Sequence, residues 1–296
     1  MATITPAVTS RATAARPRSR AKTMAALGRG LTYLILTVVG FFYMYPILWV
    51  LGGSLKSKGE FFSSKLGLFP KTPIWQNYVD AWVKAKFSVY FFNSVFITTM
   101  VVLFVVLFTS MSGYAMARTS FPGKRLLLGA ILVTLFIPGG YTIIPVFEII
   151  QFLRLNNTLW AVVLVSVAGG MIANTFLYMG YFNTLPKELE EAARIDGASP
   201  PRIYWSVMLP LAGPMTATVT LLTFLGSWNE FFLPLVFTLA KPNLRTLAIG
   251  MYAFVGENTR DWTAMCAATI ITILPIIVVF LLLQRYFIEG VSGAVK

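Results

Sequence analysis

The chain of 296 residues has no histidine, one cysteine, and eleven acidic side chains against 24 basic ones. Each shortage excludes something. Without histidine, the usual general base near neutral pH and the commonest zinc ligand are missing. The single cysteine, Cys266, sits in an apolar run, so no internal disulfide is possible and the redox compartment stays open. Charged residues make up 12% of the chain, against roughly 25% in a soluble domain. No G-x-x-x-x-G-K-[ST] phosphate loop, G-x-S-x-G elbow, H-E-x-x-H or Cys/His cluster occurs. Gly123-Lys124-Arg125 lacks both the upstream glycine and the hydroxyl residue of a phosphate loop. No catalytic residue, metal site or resident cofactor is therefore expected. The net charge of +13 points toward nucleic acid or anionic lipid, but the basic residues are spread over loops and the N-terminal tail. No soluble domain is left to hold a nucleic-acid site, so none is expected.

What is present is apolar, at 57% of residues, and it is arranged in long runs. Residues 1–29 are polar and basic, with Arg11, Arg16, Arg18, Arg20, Lys22 and Arg29 and no acid, and are expected to form a disordered cytoplasmic tail. The run that follows is too long for the apolar part of a signal peptide and reads as a first, uncleaved span. Residues 30–296 then form one transmembrane domain in an all-α polytopic chain with about six spans, near 31–55, 91–117, 126–150, 159–182, 211–239 and 264–287. Pro46, Pro138, Pro145, Pro234 and Pro275 predict kinks or breaks within them.

Six spans put both termini on one side of the inner membrane, and the arginines choose the cytoplasm. The inner segments then hold the tail arginines with Arg118, Arg125, Arg194, Arg202 and Arg285, and the outer ones only Arg154, Arg245 and Arg260. The segment from Lys56 to Lys86, with six lysines, runs against this bias.

Between the fourth and fifth spans lies a polar island, Asn183 to Pro210, holding four of the eleven acids. Pro186 stands where a helix would start, Glu188, Glu190 and Glu191 fill its first turns, and Gly197 stands where it would stop. Ser199 offers a second N-cap before Pro200 and Pro201, and Ile203, Val207 and Met208 recur on one stripe. Two short helices joined at Gly197 would make a compact knob, with small Ala192 and Ala193 for close seating and Glu191 for charge-assisted hydrogen bonds. On these residues alone a docking surface and an amphipathic surface loop stand level.

Glu191-Ala192-Ala193-x-x-x-Gly197, followed after nine residues by Val207-x-Leu209-Pro210, resembles the EAA loop of ABC-importer permeases, with Val207 where isoleucine is usual. Arg194-Ile195-Asp196-Gly197-Ala198, Ser227-Trp228-Asn229-Glu230-Phe231 and the end from Gln284-Arg285-Tyr286-Phe287 to Lys296 resemble the carbohydrate branch, of the maltose/trehalose type. The resemblance implies a permease subunit that moves a sugar or small oligosaccharide by alternating access. It implies a heterodimer with a second homologous permease, an ABC ATPase dimer that binds ATP and Mg on its own chain, and an extracytoplasmic solute-binding protein seated on loops 56–89 and 240–262. The expected ATPase-docking residues are Glu190, Glu191, Ala192, Ala193, Asp196, Gly197, Leu209 and Pro210, with a further contact from residues 287–296.

Trp228, Asn229 and Glu230 lie in an otherwise apolar run and are the candidates for the solute path; the competing role is helix–helix packing. Asn93, Ser94, Asn174 and Thr175 are weaker candidates. A permease for another small solute, a stand-alone secondary transporter and an intramembrane enzyme remain as alternatives. A nearly solitary intramembrane acid and the lack of an internal repeat disfavour the second, and the missing histidine disfavours the third.

Overall fold

A computed structural model describes residues 18–63, 67–84, 86–137, 139–254 and 261–293. Every regular element among them is helical. The chain divides into two units, Met1–Trp49 and Val50–Lys296.

The first unit carries most of α1, Arg18–Ser54. The expected tail lies outside the described residues up to 17, and from Arg18 the backbone is helical. Alanine, arginine and lysine all favour helix, so the basic segment continues the apolar one. From Leu31 to Tyr43 the apolar side chains are exposed all round, as on a helix with hydrocarbon or other protein about it.

In the second unit, α2 (Lys58–Ser63) and α3 (Gln76–Val79) precede the long α4, Phe87–Arg118. Then come α5 (Lys124–Thr134), α6 (Ile143–Phe152) and α7 (Leu159–Thr184). The island folds as α8 (Glu188–Ile195), α9 (Pro200–Ile203), a π-helical turn over Tyr204–Met208 and α10 (Leu209–Leu211). The chain continues through α11 (Gly213–Trp228), α12 (Phe232–Thr238), α13 (Leu247–Gly250) and α14 (Trp262–Gly293).

Among the described residues, four helices are long and apolar enough to cross a bilayer: Ala26–Ser54, Phe87–Arg118, Leu159–Thr184 and Trp262–Tyr286. Two of the six expected spans are not continuous. The third is split into α5 and α6, because Gly139 and Gly140 fall in a 3₁₀ turn and Pro145 is accepted only in the first turn of a new helix. The fifth is broken between Trp228 and Phe232, where the Glu230 Oε1 accepts from the amides of Phe232 and Leu233 at 2.8 and 3.2 Å and starts α12 afresh. Its near half, α11, meets the Pro200–Leu211 segment at a bend of 76°.

The centre of this unit is the α4–α7 pair. Gly113 lets the two backbones touch: a Cβ there would lie 2.5 Å from Tyr178 Cβ and 2.9 Å from Met179 N. Between helices in lipid, such close approach replaces the solvent-driven term that packs soluble cores. Ile97, Val101 and Val105 of α4 are buried with Val162, Val163 and Val167 of α7. Ser112 shares a hydroxyl hydrogen bond with Thr175 at 2.9 Å, and Tyr178 donates to Thr216 of α11 at 3.0 Å. A second cluster joins α4, α11 and α14, where small Ala264, Ala267 and Ala268 receive Trp228 and Tyr90. Asn93 donates to the carbonyls of Asn243 and Arg245, and Ser94 accepts from Leu247 N, so the start of α4 holds the 242–247 loop.

Candidate functional site

The island is a knob, and its first helix stops at the expected glycine. Gly197 has φ +79°, and its amide donates to the Arg194 carbonyl at 3.0 Å while Ala198 N reaches back to Ala193 O at 2.9 Å. These are the two bonds of a Schellman stop, and the accompanying apolar contact is made by Ala193 and Ala198, both packed on the core. Glu188, Glu190 and Glu191 occupy the first turn of α8, next to its exposed amides. Ser199 sits extended before Pro200 and Pro201 as expected, but its side chain makes no capping hydrogen bond. Ile203 and Met208 are fully buried and Val207 half-buried, so the expected stripe is the knob's inward face.

The two adjacent glutamates part company. Glu191 is exposed, together with Ala192, Asp196, Gly197 and Pro210, while Ala193 and Leu209 are half-buried. Glu190 is buried instead. Its Oε1 lies 3.0 Å from Arg118 Nε at the end of α4, and the two side chains are only 8% and 6% exposed. Arg118 also donates through Nη2 to the Leu185 carbonyl at 2.7 Å, which fixes the lead-in to the knob. One turn up α4, Tyr114 is in reach of the Glu190 carboxylate and packs on the Tyr204 ring at 5.3 Å. A further turn up, Ser110 shares a hydroxyl hydrogen bond with Tyr204 at 2.8 Å. Burial pushes the Tyr204 phenol above its ordinary value although the Ser110 bond works the other way, so it stays protonated through the neutral range. The sequence groups Glu190 with the expected docking residues; the structure puts it on the inner face. Arg118, Tyr114 and Ser110 were not singled out, yet their spacing of four is a visible signal of one helical face.

The Trp228–Glu230 stretch also divides. Trp228 turns toward α14, donating from Nε1 to the Thr272 carbonyl at 3.1 Å and lying between Phe91 and Phe224. Asn229 is exposed and bonds back to Leu225 O. Glu230 alone of the three borders a cavity of about 450 Å³ set between α7 and α11. Asn174, Ser166, Thr223 and Ser227 supply the other polar lining, and Gly169, Gly170 and Gly226 keep its walls low. The hydroxyls of Ser166 and Thr223 are buried with no hydrogen-bond partner among the described residues. Both Glu230 hydrogen bonds use Oε1, so Oε2 keeps its accepting capacity. The competing packing role therefore falls to Trp228, while Glu230 is a helix cap at a cavity edge. No group of histidine, cysteine or carboxylate side chains suited to a metal ion occurs among the described residues.

The family described as "Binding-protein-dependent transport system inner membrane component" matches residues 88–293, which include α4, the knob and the cavity. The chain belongs to that family. The diacetylchitobiose uptake system permease protein NgcG of Streptomyces coelicolor is 35% identical to this permease over 264 residues, 88% of this chain and 87% of that protein. The melibiose/raffinose/stachyose import permease protein MelC of Bacillus subtilis is 33% identical, over 89% of this chain and 95% of its own. The fold is also that of a solved bacterial ABC transporter involved in the import of alginate, with a TM-score of 0.75 at 24% identity, covering 92% of this chain and 99% of the other. The resemblance read from Glu191, Gly197 and the Trp228–Glu230 stretch is thereby borne out. An inner-membrane component of this kind works with a solute-binding protein and an ATPase, which removes the stand-alone carrier.

Proposed function

We propose that this permease imports a sugar or small oligosaccharide by alternating access, as one half of a heterodimer driven by a separate ATPase dimer that docks on the 183–210 knob. The carrying observation is that the knob has two unlike faces. Ile203, Met208 and Glu190 fasten one face to the chain, while Glu191, Ala192, Asp196 and an 86% exposed Ile195 are left on the other. An exposed patch of acids, small residues and one large aliphatic side chain suits a partner that offers basic groups around an apolar pocket. In this reading the knob and both termini are cytoplasmic, the binding protein meets segments 56–89 and 240–262, and Leu209 and Pro210 border the docking site. The expected contact from residues 287–296 falls where side chains are not described. ATP binding would bias the permease only through contacts that differ between the two ATPase states.

The sugar assignment draws on what the relatives are named for: diacetylchitobiose, melibiose, raffinose and stachyose. It agrees with a cavity whose free Glu230 oxygen and unpartnered Ser166 and Thr223 hydroxyls suit hydroxyl groups. The test is copurification of the tagged permease from its native membrane, wild type against Glu191→Lys, together with uptake of labelled oligosaccharides. Recovery of a P-loop ATPase and a second polytopic chain with the wild type, the ATPase being lost in the variant, is the expected result. An ATPase indifferent to Glu191, or no sugar uptake dependent on this chain, would overturn the proposal.

A further inference from the structure

The knob is joined by the chain to α7 and α11, but neither joint continues the helix straight through. Leu185, between α7 and α8, is extended rather than helical, and Ala212 stands at the 76° bend into α11. The firm connection runs instead to a helix distant in sequence. Ser110, Tyr114 and Arg118 form a straight stripe down α4, about 12 Å long at the helical rise. Each meets the knob: Ser110 bonds Tyr204, Tyr114 packs on Tyr204, and Arg118 holds both Glu190 and the Leu185 carbonyl.

We propose that the Arg118–Glu190 ion pair is a coupling strut, which makes the end of α4 move as one body with the knob and so passes the ATPase stroke to the α4–α7 pair. Glu190 then acts through Arg118 and is not itself a docking residue. The physical reason is burial. An exposed ion pair trades its partner for water at little cost, so it stretches and transmits no force. A pair with side chains 6% and 8% exposed is cut off from water, so separating it leaves Glu190 only the exposed Arg194 at 3.8 Å and Arg118 only the Leu185 carbonyl, a poor exchange for both charges. The guanidinium grips two different segments at once, which resists rotation as well as separation. Downstream, the Gly113–Tyr178 contact leaves no slack between α4 and α7. α7 in turn forms one wall of the cavity edged by Glu230. The stroke would thus reach the cavity through α4 and α7, with the bend at Ala212 taking up the angle to α11.

This inference rests on the knob being the ATPase dock, and the experiment separates the two. The whole importer is reconstituted in liposomes, and three quantities are read: ATPase retained on copurification, solute moved per ATP hydrolysed, and a spin-label distance. For Arg118→Gln and Glu190→Gln the ATPase stays bound while solute per ATP falls about tenfold, and the charge exchange Arg118→Glu with Glu190→Arg recovers most of it. Arg118→Lys keeps the charge but loses the two-point grip, so it lies between wild type and Arg118→Gln. Spin labels at exposed Thr119 and Ser199, in a Cys266→Ala background, keep their separation between nucleotide-free and ATP-bound states. This last readout needs no strut variant to fold. A change of about 5 Å, one helical turn, between those labels overturns the strut. So does wild-type solute per ATP in Glu190→Gln, or loss of the ATPase from that variant. Retention of the ATPase by Glu191→Lys overturns the docking reading instead, and with it the stroke that the strut would carry.

Discussion

Glu190 and Glu230 are both carboxylates at the start of short helices, and their surroundings differ. Glu190 faces a buried guanidinium at 3.0 Å, whereas Glu230 accepts from two backbone amides and takes part in no ion pair among the described residues. A carboxylate matched by a cation has both its charge and its position fixed, which suits a joint. One satisfied only by amides on a single oxygen keeps an unused acceptor, which suits a surface that must bind and release. On the proposed roles, the knob and the broken fifth helix use the same residue type for opposite ends, and the cation makes the difference.

The largest way to break this comparison is to remove the cation. Arg118→Ala leaves the buried Glu190 with only the exposed Arg194 at 3.8 Å as a cation and should cost about 3 kcal/mol, read as lost thermal stability or poor recovery of the permease in detergent. Glu230→Ala removes a cap and should cost about 0.5–2 kcal/mol, with Gln milder than Ala because its amide oxygen can still accept. Equal losses for Arg118→Ala and Glu230→Ala would show that the two acids are alike after all. Function should separate them again: Glu230→Gln is expected to alter the uptake KM while leaving the ATPase bound.

Between these in size stands the turn that shapes the knob. Gly197 sits at φ +79° with open space around it, so a substitution there is limited by the backbone alone. Gly197→Val should cost about 1–2 kcal/mol and abolish coupled uptake, while Gly197→Asn, whose side chain tolerates that conformation, should retain much of it. Equal activity in the two would mean that the Schellman stop does not set the knob's outer face.

Much of this was legible in the sequence, and the rest was lost for physical reasons. The helical class, the first-turn acids of α8 and the stop at Gly197 follow from local rules, because capping and φ preference depend on a few adjacent residues. The inward stripe of Ile203, Val207 and Met208 follows from periodicity in the same way. The fate of Glu190 does not, because the residue that decides it, Arg118, is on another helix, and one sequence does not say which helices meet. The break before α12 was half visible: Glu230 stood out as an intramembrane acid, but nothing showed that it would bond amides of its own chain instead of reaching across. Pro145 marks a kink or break of the third span in the sequence, and the structure places there a split in which Gly139 and Gly140 form a 3₁₀ turn.

The smallest effect comes from a third carboxylate, and it sharpens the contrast by supplying an exposed ion pair. Asp261 lies 2.9 Å from Lys58, whose side chain is 72% exposed, and it accepts from Ala264 N and Thr263 Oγ1 at the start of α14. Partial burial raises its pKa, but Lys58, the Ala264 amide and the Thr263 hydroxyl outweigh that and hold the carboxyl below its ordinary value of 3.8. A depressed carboxyl contributes stability that is fully present above the ordinary value and is lost as pH falls through the lower, folded one. The melting-temperature difference between wild type and Asp261→Asn should therefore be flat from pH 8 to about pH 5 and shrink only below about pH 4. Asparagine still caps the helix, so the difference itself should be about 0.2–1 kcal/mol, the range of an exposed pair. A difference approaching that of Arg118→Ala would mean that geometry alone, and not burial, makes an ion pair rigid, and the distinction between the strut and an ordinary surface pair would fall.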